Sequence, residues 1–460
     1  MQISLFDGNK KFKIDKPIRL IELFAGYGSQ HFALEYLGVQ FESWKICEWA
    51  VKSIQAYKDA HFGNDNTDYS KDLTKEELFD YLANKGISSN YNEPMTYEQI
   101  KRLGEEKTRK IYNNIISTHN LVNIQQAKGK DFNIVDTDKY CYIMTYSFPC
   151  QDLSSAGLGK GMGKGSGTRS GMLWEVERIL DEIKNENREL PQVLVMENVP
   201  EVIGTNNIKH FAKWLEKLEE LGYKNKWQVL NAKDYGVPQN RERCFMVSIL
   251  GDYYCDFPKP LNNKTRPLDI IEGNVGEKYY LGEKMKKVIL DRTPLGNKGN
   301  FASNILGNNL IKDFGTITTK AGQRGSDNYI VENMTQDEVD YYIYKKGVVK
   351  IKDKFYEITK DTENYIEWHQ QGLLDMDTRA YKVDKCVGTL HTRCENIKLL
   401  LEDLKIRKLT ERECFRLMGV KDQDFELMAQ NQSNASLYHL AGDSIVVDVL
   451  MCIFGEMLQW

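Results

Sequence analysis

Short apolar runs alternate with glycine turns and helical stretches through the first half of the chain. Four runs are dominated by apolar or β-branched side chains: residues 18–24, 41–47, 140–146 and 191–196. Runs of this length, bounded by turn residues, indicate buried strands. Apolar positions at helical spacing between the runs, such as Phe32, Leu34 and Leu37, indicate helices. The alternation predicts an α/β fold with a doubly wound sheet.

Two parts of the chain depart from this alternation. Residues 75–139 are charged and helical in pattern, and we interpret them as a helical insertion. Between 256 and 406 the strand-like runs are short and the turns carry Asn and Gly, which is typical of a second, smaller and irregular domain. We therefore predict a first domain over 1–255, a second over 256–406 and a C-terminal segment over 407–460. In that segment Thr410 caps a helix with Glu413 three positions on.

Composition and charge narrow the class of protein. The 460 residues are 41% hydrophobic and 28% charged, as in ordinary soluble proteins. We find no apolar stretch long enough to span a membrane and no signal peptide, so we expect a cytoplasmic protein. The nine cysteines form no CxxC pair and no zinc-type spacing, which indicates reduced thiols and no metal site. Because the net charge is −4, nucleic acid could bind only through a local basic cleft.

A glycine turn follows the first strand. The segment Phe24-Ala25-Gly26-Tyr27-Gly28 joins that strand to a helix, which is the opening of a nucleotide-binding fold. Its glycines let the backbone approach a ligand closely. After the second strand stand Glu48, placed to accept ribose hydroxyls, and Trp49, able to stack on adenine. Together these residues predict a site for a nucleoside cofactor.

Asp72 and Leu73 admit two interpretations. They could end a third strand, which would place Asp72 at the same edge as Glu48. Alternatively, Asp72 is a solvated acid ahead of the helix that begins near Thr74. The spacing favours neither.

Cys150 follows the third apolar run in the segment Phe148-Pro149-Cys150-Gln151. A cysteine at the carboxyl end of a strand, held by a proline, lies where α/β folds place reactive groups. The glycine-rich loop from Gly157 to Gly171 is interpreted as a lid that closes on a substrate, with a flexible linker as the alternative. Position alone does not separate a nucleophile from a buried thiol.

Charged candidates follow on two further strands. The run at 191–196 leads into Glu197, a carboxyl group that is costly to bury unless it is paired or used. Gln239, Arg241 and Arg243 alternate, which predicts one shared strand face and a site for phosphate or base oxygens. A thiol, an acid and two cations beside a nucleoside site suit addition to a pyrimidine. The thiolate adds to carbon 6, Glu197 protonates ring nitrogen 3, and an arginine holds the exocyclic oxygen.

In the same order along the chain, these motifs resemble those of the DNA (cytosine-5)-methyltransferases. The resembling segments are Phe24-Ala25-Gly26-Tyr27-Gly28, Glu48-Trp49, Asp72-Leu73, Phe148-Pro149-Cys150-Gln151, Glu197-Asn198-Val199, Gln239-x-Arg241-x-Arg243, Arg407 to Met418 and Gly442-Asp443-Ser444. The resemblance implies a Rossmann-like, S-adenosylmethionine-dependent methyltransferase domain, a target recognition domain at 256–406, and a segment at 407–460 that returns to the catalytic domain. Asp443 stands where the family usually has asparagine. If the backbone turns in the same way, little changes, but the added negative charge near the methionine carboxylate would weaken cofactor binding.

The resemblance also implies roles for single residues. The S-adenosylmethionine site, which would release S-adenosylhomocysteine, would comprise Phe24, Ala25, Gly26, Tyr27, Gly28, Glu48, Trp49, Asp72, Leu73, Pro149, Asp443 and Ser444. Cys150 would be the nucleophile and Glu197 the assisting acid, and the flipped cytosine would be supported by Gln239, Arg241 and Arg243. Contacts to duplex DNA would come from Gln151, Ser154, Arg169, Lys320 and Arg324.

Three other functions stay open: a cytosine-5 methyltransferase of RNA, a Rossmann oxidoreductase that uses NAD, and a binding protein with an inactive site. The oxidoreductase would explain Gly26, Gly28 and Glu48 but not Cys150 with Glu197. The expected partners of a monomeric, nucleoid-associated enzyme are double-stranded DNA and a cognate restriction endonuclease. Gln2 to Phe6 resembles the short peptide that docks bacterial proteins on the replication sliding clamp, with a fraying edge strand as the alternative.

Overall fold

The fold is described from a computed structural model. It describes residues 10–149, 153, 162–164, 169–261, 265–282, 286, 304–307, 314–317, 319, 328–331, 348–351, 354–357 and 406–458. The chain divides into two compact units, Met1–Lys264 with Phe415–Trp460, and Thr265–Cys414. This division falls nine residues beyond the predicted boundary after 255 and eight residues beyond the predicted boundary after 406. Leu261 N donates to Asp234 O at 2.8 Å within the first unit, and Arg407 pairs with Ile330 within the second.

The first unit is built on a six-stranded sheet. Its strands are β1 (Lys10–Lys11), β2 (Ile18–Leu23), β3 (Phe41–Cys47), β4 (Cys141–Tyr146), β5 (Val193–Asn198), β6 (Tyr223–Asn231), β7 (Gln239–Asn240), β8 (Glu242–Leu250) and β9 (Tyr253–Tyr254), of which β1, β7 and β9 are short outlying strands. The order in the sheet is β3-β2-β4-β5-β8-β6. β3, β2, β4 and β5 run parallel, whereas β8 runs antiparallel to β5 and β6. The predicted α/β fold is confirmed, and the four apolar runs are β2 to β5.

Helices connect the strands of the sheet, and further helices form the C-terminal part of the chain. In chain order they are α1 (Ser29–Tyr36), α2 (Val51–His61), α3 (Lys75–Lys85), α4 (Tyr97–Leu103), α5 (Glu105–Ser117), α6 (Leu173–Asn185), α7 (Ile208–Glu220), α8 (Glu411–Arg416), α9 (Asp422–Ala429), α10 (Asn434–Asp443) and α11 (Val447–Met457). The main core lies where β4 meets α6 and α7. There Trp214 is fully buried and donates through Nε1 to the Tyr146 hydroxyl at 3.1 Å.

The segment predicted as a helical insertion contains α3, α4 and α5. Thr74 and Thr96 begin α3 and α4, each in a capping box with the acid or amide three positions on. The three helices share an apolar core with Ile54 of α2, formed by residues that include Phe79, Leu82, Ile100, Ile111 and Ile115. Within the first unit, the insertion therefore packs against α2.

The stretch that forms α10 and α11 contradicts the prediction that no part of the chain is long and apolar enough to span a membrane. The most apolar 18-residue window of Asn434–Met457 has a mean hydropathy of 1.6, and this stretch is long and apolar enough to cross a membrane by length and composition. However, 61% of the most apolar window is buried within the protein, and residues 444–446 interrupt the helix between α10 and α11. Burial of this extent is typical of core helices in a water-soluble fold.

The second unit contributes short strands. They are β10 (Asn304–Gly307), β11 (Phe314–Gly315), β12 (Asn328–Val331), β13 (Val348–Ile351), β14 (Lys354–Glu357) and β15 (Ile406–Lys408). β12 pairs in parallel with β10 and antiparallel with β15, and β13 pairs antiparallel with β14. The predicted cap of α8 is confirmed, since Thr410 N donates to Glu413 Oε2 at 2.8 Å and Glu413 N donates to the Thr410 hydroxyl at 3.1 Å. The carboxylate of Glu413 also accepts hydrogen bonds from both terminal nitrogens of the buried Arg407.

Gly419 closes the turn after α8 against Asp448 of α11. Its φ is +78°, and an added Cβ would lie 1.9 Å from Asp448 Oδ2. We expect Gly419→Ala to lower the free energy of unfolding by roughly 2–4 kcal/mol, because it combines backbone strain with a steric clash. Urea unfolding measures the change.

Gly455 of α11 provides the matched control for this prediction. Nothing lies within 4 Å of its added Cβ. Gly455→Ala should keep or slightly raise the free energy of unfolding, because alanine favours a helix. Equal stability of Gly419→Ala and wild type would contradict the expected clash.

Candidate active site

The strand register brings separate segments of the first unit to one edge of the sheet. Leu23 pairs with both Cys47 and Tyr146, and Tyr146 pairs with Met196. The next residue on each strand therefore stands in one row at the carboxyl edge: Phe24, Glu48, Ser147 and Glu197. A cavity of about 230 Å³ opens there, which we call the edge cavity. The row residues line it, together with Gly26, Trp49, Pro149, Asn198, Val199, Arg241 and Arg243.

The glycine turn after β2 depends on left-handed backbone. Phe24, Gly26 and Gly28 have φ angles of 59°, 57° and 84°. An added Cβ at Gly28 would lie 2.4 Å from His61 Nε2, so this position needs glycine for both conformation and space. Phe24 and Gly26 line the edge cavity, and the other predicted turn residues, Ala25, Tyr27 and Gly28, lie outside its lining.

Buried polar side chains, joined by hydrogen bonds and ring stacking, support the glycine turn after β2. The Tyr57 hydroxyl donates to Glu22 Oε2 at 2.5 Å, and His31 Nδ1 lies 3.3 Å from the same hydroxyl. The His31 ring stacks on His61 with centroids 3.8 Å apart, and His61 Nε2 lies 2.8 Å from Tyr27 O. Burial raises the pKa of Glu22 to about 8 and lowers the pKa of His61 to about 3. Both imidazole rings are therefore neutral near pH 7, because burial also lowers the pKa of His31.

His31 and His61 also form a cluster with Glu35. The three atoms that these side chains could offer to a metal ion lie within 4.8 Å of one another. Metal coordination needs lone pairs that converge on one point. The two imidazole rings are stacked at an interplanar angle of 25°, so their in-plane lone pairs run side by side. We assign the cluster to support of the glycine turn.

Glu48 is held in the wall of the edge cavity by backbone groups. Gly26 N donates to Glu48 Oε2 at 2.9 Å, and Ala50 N donates to Oε1 at 2.8 Å. The Asn120 side chain accepts from Glu48 N and donates to Glu48 O. Burial raises the pKa of Glu48 to about 7, and the backbone donors oppose this shift. Each carboxyl oxygen has a further lone pair with which to accept a ligand hydroxyl.

Asp72 and Leu73 lie outside the lining of the edge cavity, which corrects the strand interpretation. They occupy a turn and the residues just before α3, and Asp72 is exposed. The physical reason is the capping box of Thr74, which starts α3 immediately afterwards. The cavity is lined instead by Asn123, Ile124 and Gln125, with Ser53 and Tyr91. Sequence reasoning missed Tyr91, Asn123, Ile124 and Gln125 because their segments have no strand or helix periodicity, and it missed Ser53 because no motif marks that position of α2.

The end of β5 holds the segment that leads to Cys150. The Ser147 hydroxyl donates to Glu197 Oε2 at 2.5 Å, and Asn198 Nδ2 donates to Phe148 O at 2.9 Å. Pro149 lines the edge cavity. The described chain stops there, and several predicted residues lie outside it: Cys150, Gln151, Ser154, Lys320, Arg324, the side chain of Arg169, and Gln2 to Phe6.

The two predicted arginines, Arg241 just before β8 and Arg243 within it, have different partners. Arg243 Nε lies 3.1 Å from Glu197 Oε1 and balances a carboxylate that is only 6% exposed. Arg241 is buried and donates through Nη2 to Gly442 O at 3.0 Å and to Ser444 O at 2.7 Å. Arg243 therefore orients the acid, and Arg241 ties β8 to the segment after α10.

Gln239 does not line the edge cavity. It is fully buried, and its Nε2 donates to Leu417 O at 2.7 Å. The predicted alternation places Gln239 on the face of Arg241 and Arg243, but Arg241 lies between β7 and β8 and interrupts the strand. Gln239 therefore supports the turn after α8 and lies outside the wall of the edge cavity.

Asp443 and Ser444, which the last motif predicts as cofactor contacts, line the edge cavity together with His439. His439 Nε2 lies 3.1 Å from Asp443 Oδ2, and the His439 ring packs against Tyr91 with centroids 4.2 Å apart. The sequence carries a weak signal for this pair, because positions i and i+4 share a helix face. Tyr91, in the insertion, has no local signal of this kind.

The raised pKa of Glu22 predicts a pH dependence of stability. The unfolded value is near 4.3, so between about pH 4.3 and 8 the folded protein binds more protons, and its stability falls as the pH rises. Glu22→Gln removes this titration. Between pH 5.5 and 8, we expect wild type to lose on the order of 1–3 kcal/mol more than the variant.

Urea unfolding at both pH values measures the difference between the two proteins. Glu48 and Asp448, whose pKa values burial also raises, contribute equally to both slopes and cancel in the comparison. Parallel pH slopes for wild type and Glu22→Gln would show that Glu22 does not titrate in this range.

Comparison with known proteins gives the family. The family described as C-5 cytosine-specific DNA methylase matches residues 73–459. The chain is 32% identical to the type II methyltransferase M2.ScrFI of Lactococcus lactis subsp. cremoris, over 96% of this chain and 99% of the relative. It is 38% identical to the orphan methyltransferase M.SssI of Spiroplasma monobiae over 276 residues, which are 59% of this chain and 69% of the relative.

Solved structures share the fold. The Entamoeba histolytica methyltransferase EhMeth matches with a TM-score of 0.55 at 14% identity, over 96% of this chain and 98% of that one. The S. pombe Dnmt2 methyltransferase matches with a TM-score of 0.53 at 14% identity, over 95% and 97%. The resemblance seen in the motifs is confirmed: this chain belongs to the C-5 cytosine-specific DNA methylase family and is a DNA (cytosine-5)-methyltransferase.

Proposed function

We propose that the protein transfers a methyl group from S-adenosylmethionine to carbon 5 of a cytosine flipped out of a specific duplex DNA sequence. Cys150 is the proposed nucleophile and Glu197 the assisting acid. The observation that carries this proposal is the 2.5 Å hydrogen bond from Ser147 to Glu197, which ties the segment leading to Cys150 to the acid. Pro149, the residue before the thiol, lines the same cavity as Glu197.

The walls of the edge cavity fit an adenosyl cofactor in their chemistry. Glu48 offers carboxyl oxygens to the ribose hydroxyls, and Phe24 and Trp49 offer aromatic faces to the adenine. Asp443 and Ser444 offer polar groups to the methionine end. Bound there, S-adenosylmethionine would supply an electrophilic methyl group.

Cys150 makes carbon 5 of the cytosine reactive. Addition of its thiolate to carbon 6 converts the ring to an enamine, whose carbon 5 is a nucleophile. Once carbon 5 carries the methyl group, a water molecule takes the proton of carbon 5, and the electron pair of that bond expels the thiolate from carbon 6. The proton on ring nitrogen 3 returns to Glu197, which restores the aromatic ring. The enzyme is regenerated with its thiol free.

Glu197 acts at the polar edge of the base. A proton held between its carboxyl group and ring nitrogen 3 draws electrons from carbon 6 as the thiolate adds. Arg243 engages Oε1 and Ser147 engages Oε2, so the carboxyl group is oriented before the base arrives. The contacts of Arg241 with two backbone carbonyls support a positioning role for that arginine.

Duplex DNA is the proposed substrate, with RNA as the alternative. The second unit, Thr265–Cys414, offers the long region that a target recognition domain needs. Flipping a base out of the duplex costs a few kcal/mol, which contacts from Gln151, Ser154 and Arg169 would offset. Because the net charge is −4, binding would depend on local cations such as Lys320 and Arg324 and would weaken with salt.

A cognate restriction endonuclease is a proposed partner. One relative is named a type II methyltransferase and another an orphan methyltransferase, so solitary action is the alternative. We expect a monomer that acts on the nucleoid in the cytoplasm.

Trapping on 5-fluorocytosine tests the mechanism. A library of random duplexes in which 5-fluorocytosine replaces cytosine removes the need to know the target sequence. With S-adenosylmethionine present, we expect a covalent adduct that survives denaturing electrophoresis, because fluorine cannot leave carbon 5 as a proton does. The adduct should be absent in Cys150→Ala. An adduct with RNA alone, or one that persists in Cys150→Ala, would overturn the proposal.

The same assay examines the assisting acid. Glu197→Gln should slow adduct formation by about 10²-fold or more, the usual contribution of a general acid. Glu216→Gln changes an exposed glutamate on α7 and is the matched control, with an unchanged rate expected. An unchanged rate in Glu197→Gln would remove this carboxyl group from the mechanism.

Docking on the replication sliding clamp through Gln2 to Phe6 is a separate proposal. Deletion of residues 1–8 should abolish binding to an immobilised bacterial clamp, measured by surface plasmon resonance, because the whole matching peptide is lost. Methylation of short duplexes should be unchanged. No clamp binding by the full chain, or equal binding after the deletion, rejects the idea.

A further inference from the structure

We infer that the helical insertion completes the cofactor site through Tyr91, a positioning residue that holds His439 and, through it, Asp443 at the wall of the edge cavity. All three side chains line this cavity. The inference rests on the proposed cofactor role of the cavity and gives the insertion a purpose that its sequence does not reveal.

The loop that carries Tyr91 is anchored beside Glu48. Ser88 N donates to Trp49 O at 2.8 Å, and Val51 N donates to Ser88 O at 2.9 Å. These bonds join the loop to the residues that follow Glu48 in the chain. The insertion therefore enters the cavity wall at the residues that follow β3.

Polar contacts within the loop fix its path after this anchor. Asn90 Oδ1 accepts from Asn92 N at 2.9 Å and from Glu93 N at 3.2 Å. The Ser88 hydroxyl donates to Glu93 O at 2.7 Å. A loop held by its own side chains can place Tyr91 reproducibly.

Tyr91 itself has an unusual conformation. Its φ is 64°, in the left-handed region that bulky side chains rarely adopt. Such conformations persist where the surroundings determine them, and they cluster at functional sites. The Ser53 hydroxyl lies 3.5 Å from the Tyr91 hydroxyl. Burial, with the charges of Glu48 and Asp443, raises the pKa of Tyr91, so the hydroxyl stays protonated beside the two acids.

Tyr91 reaches Asp443 through the ring of His439. The two rings pack with centroids 4.2 Å apart at 36°, and His439 Nε2 lies 3.1 Å from Asp443 Oδ2. The Asp443 side chain is 48% exposed, so packing alone does not hold it. The ring contact fixes the imidazole, and the 3.1 Å approach of Nε2 then limits where the carboxylate can lie, although Nε2 forms no hydrogen bond among the described residues.

The charge of this wall matches the proposed ligand. Glu48 and Asp443 place two acids at the edge cavity, and their mutual repulsion contributes to the raised pKa of Glu48 after the larger effect of burial. A cationic ligand relieves this repulsion. S-adenosylmethionine carries a sulfonium and an ammonium group against a single carboxylate, so it is a net cation at neutral pH. S-adenosylhomocysteine keeps the ammonium and the carboxylate, and its ammonium is the group that can face the two acids.

Calorimetric titration of S-adenosylhomocysteine into the full chain tests the inference without any need for turnover. Tyr91→Ala should weaken binding by about 10-fold, the upper range for loss of one aromatic contact, whereas Tyr91→Phe, which keeps the ring, should stay within about threefold. Tyr97→Ala is the matched control, since Tyr97 is an exposed tyrosine of the same insertion outside the cavity lining. Its affinity should equal that of wild type.

A double-mutant comparison shows whether Tyr91 acts by positioning Asp443 or only by packing in the cavity wall. If Tyr91 acts through Asp443, then in an Asp443→Asn background Tyr91→Ala should weaken binding by less than about twofold. In steady-state kinetics Tyr91→Ala should raise the KM for S-adenosylmethionine and leave kcat within about twofold. A full 10-fold loss in the Asp443→Asn background overturns the inference.

The remaining outcomes are also decisive. Equal affinity of Tyr91→Ala and wild type overturns the inference and leaves the proposed function intact. Equal losses in Tyr91→Ala and Tyr97→Ala overturn it too, because they indicate general damage to the insertion. If Tyr91→Ala unfolds, His439→Gln takes its place with the same expected loss. A wild-type chain that binds no S-adenosylhomocysteine rejects the proposed function itself.

Discussion

Parallel pairing of β2, β3, β4 and β5 is the constraint from which the site follows. The ladders place Leu23 beside Cys47 and Tyr146, and Tyr146 beside Met196. Segments that are far apart in the chain therefore end at one level. The residue after each of these positions contributes a different chemical group to the same small cavity, which is the general property of parallel α/β sheets.

Each buried charge at this edge is balanced in its own way. Glu48 accepts hydrogen bonds from two backbone N–H groups. Glu197 forms an ion pair with Arg243 and accepts a hydrogen bond from the Ser147 hydroxyl. Arg241 donates to two backbone carbonyls. Charges that are held by such partners are oriented before a ligand arrives, so little reorganisation is left for the reaction. The same contacts connect the glycine turn, the segment leading to Cys150 and the end of α10 into one framework.

The insertion shows how an elaboration of the sheet can become part of a site. Its helices have their own apolar core, which is anchored on α2 through Ile54. Its loop at 88–93 is bonded to the residues just after β3, next to Glu48. An added segment that starts so close to the edge cavity can contribute a side chain without altering the register of the sheet.

The sequence by itself determined the features that depend on neighbouring residues. Apolar runs predicted β2 to β5, the glycine pattern predicted the turn after β2, and the spacing of Thr410 and Glu413 predicted the cap of α8. Motif order also brought Glu48 and Glu197 to one site, because the carboxyl ends of parallel strands meet at one edge. Arg243 meets them there because β8 is antiparallel and begins at that edge. Only the tertiary structure decided that Asp72 stays outside the cavity and that Gln239 turns towards Leu417. It also decided that Tyr91 meets His439. These outcomes depend on contacts between residues far apart in the chain, and no local pattern of side chains carries that information.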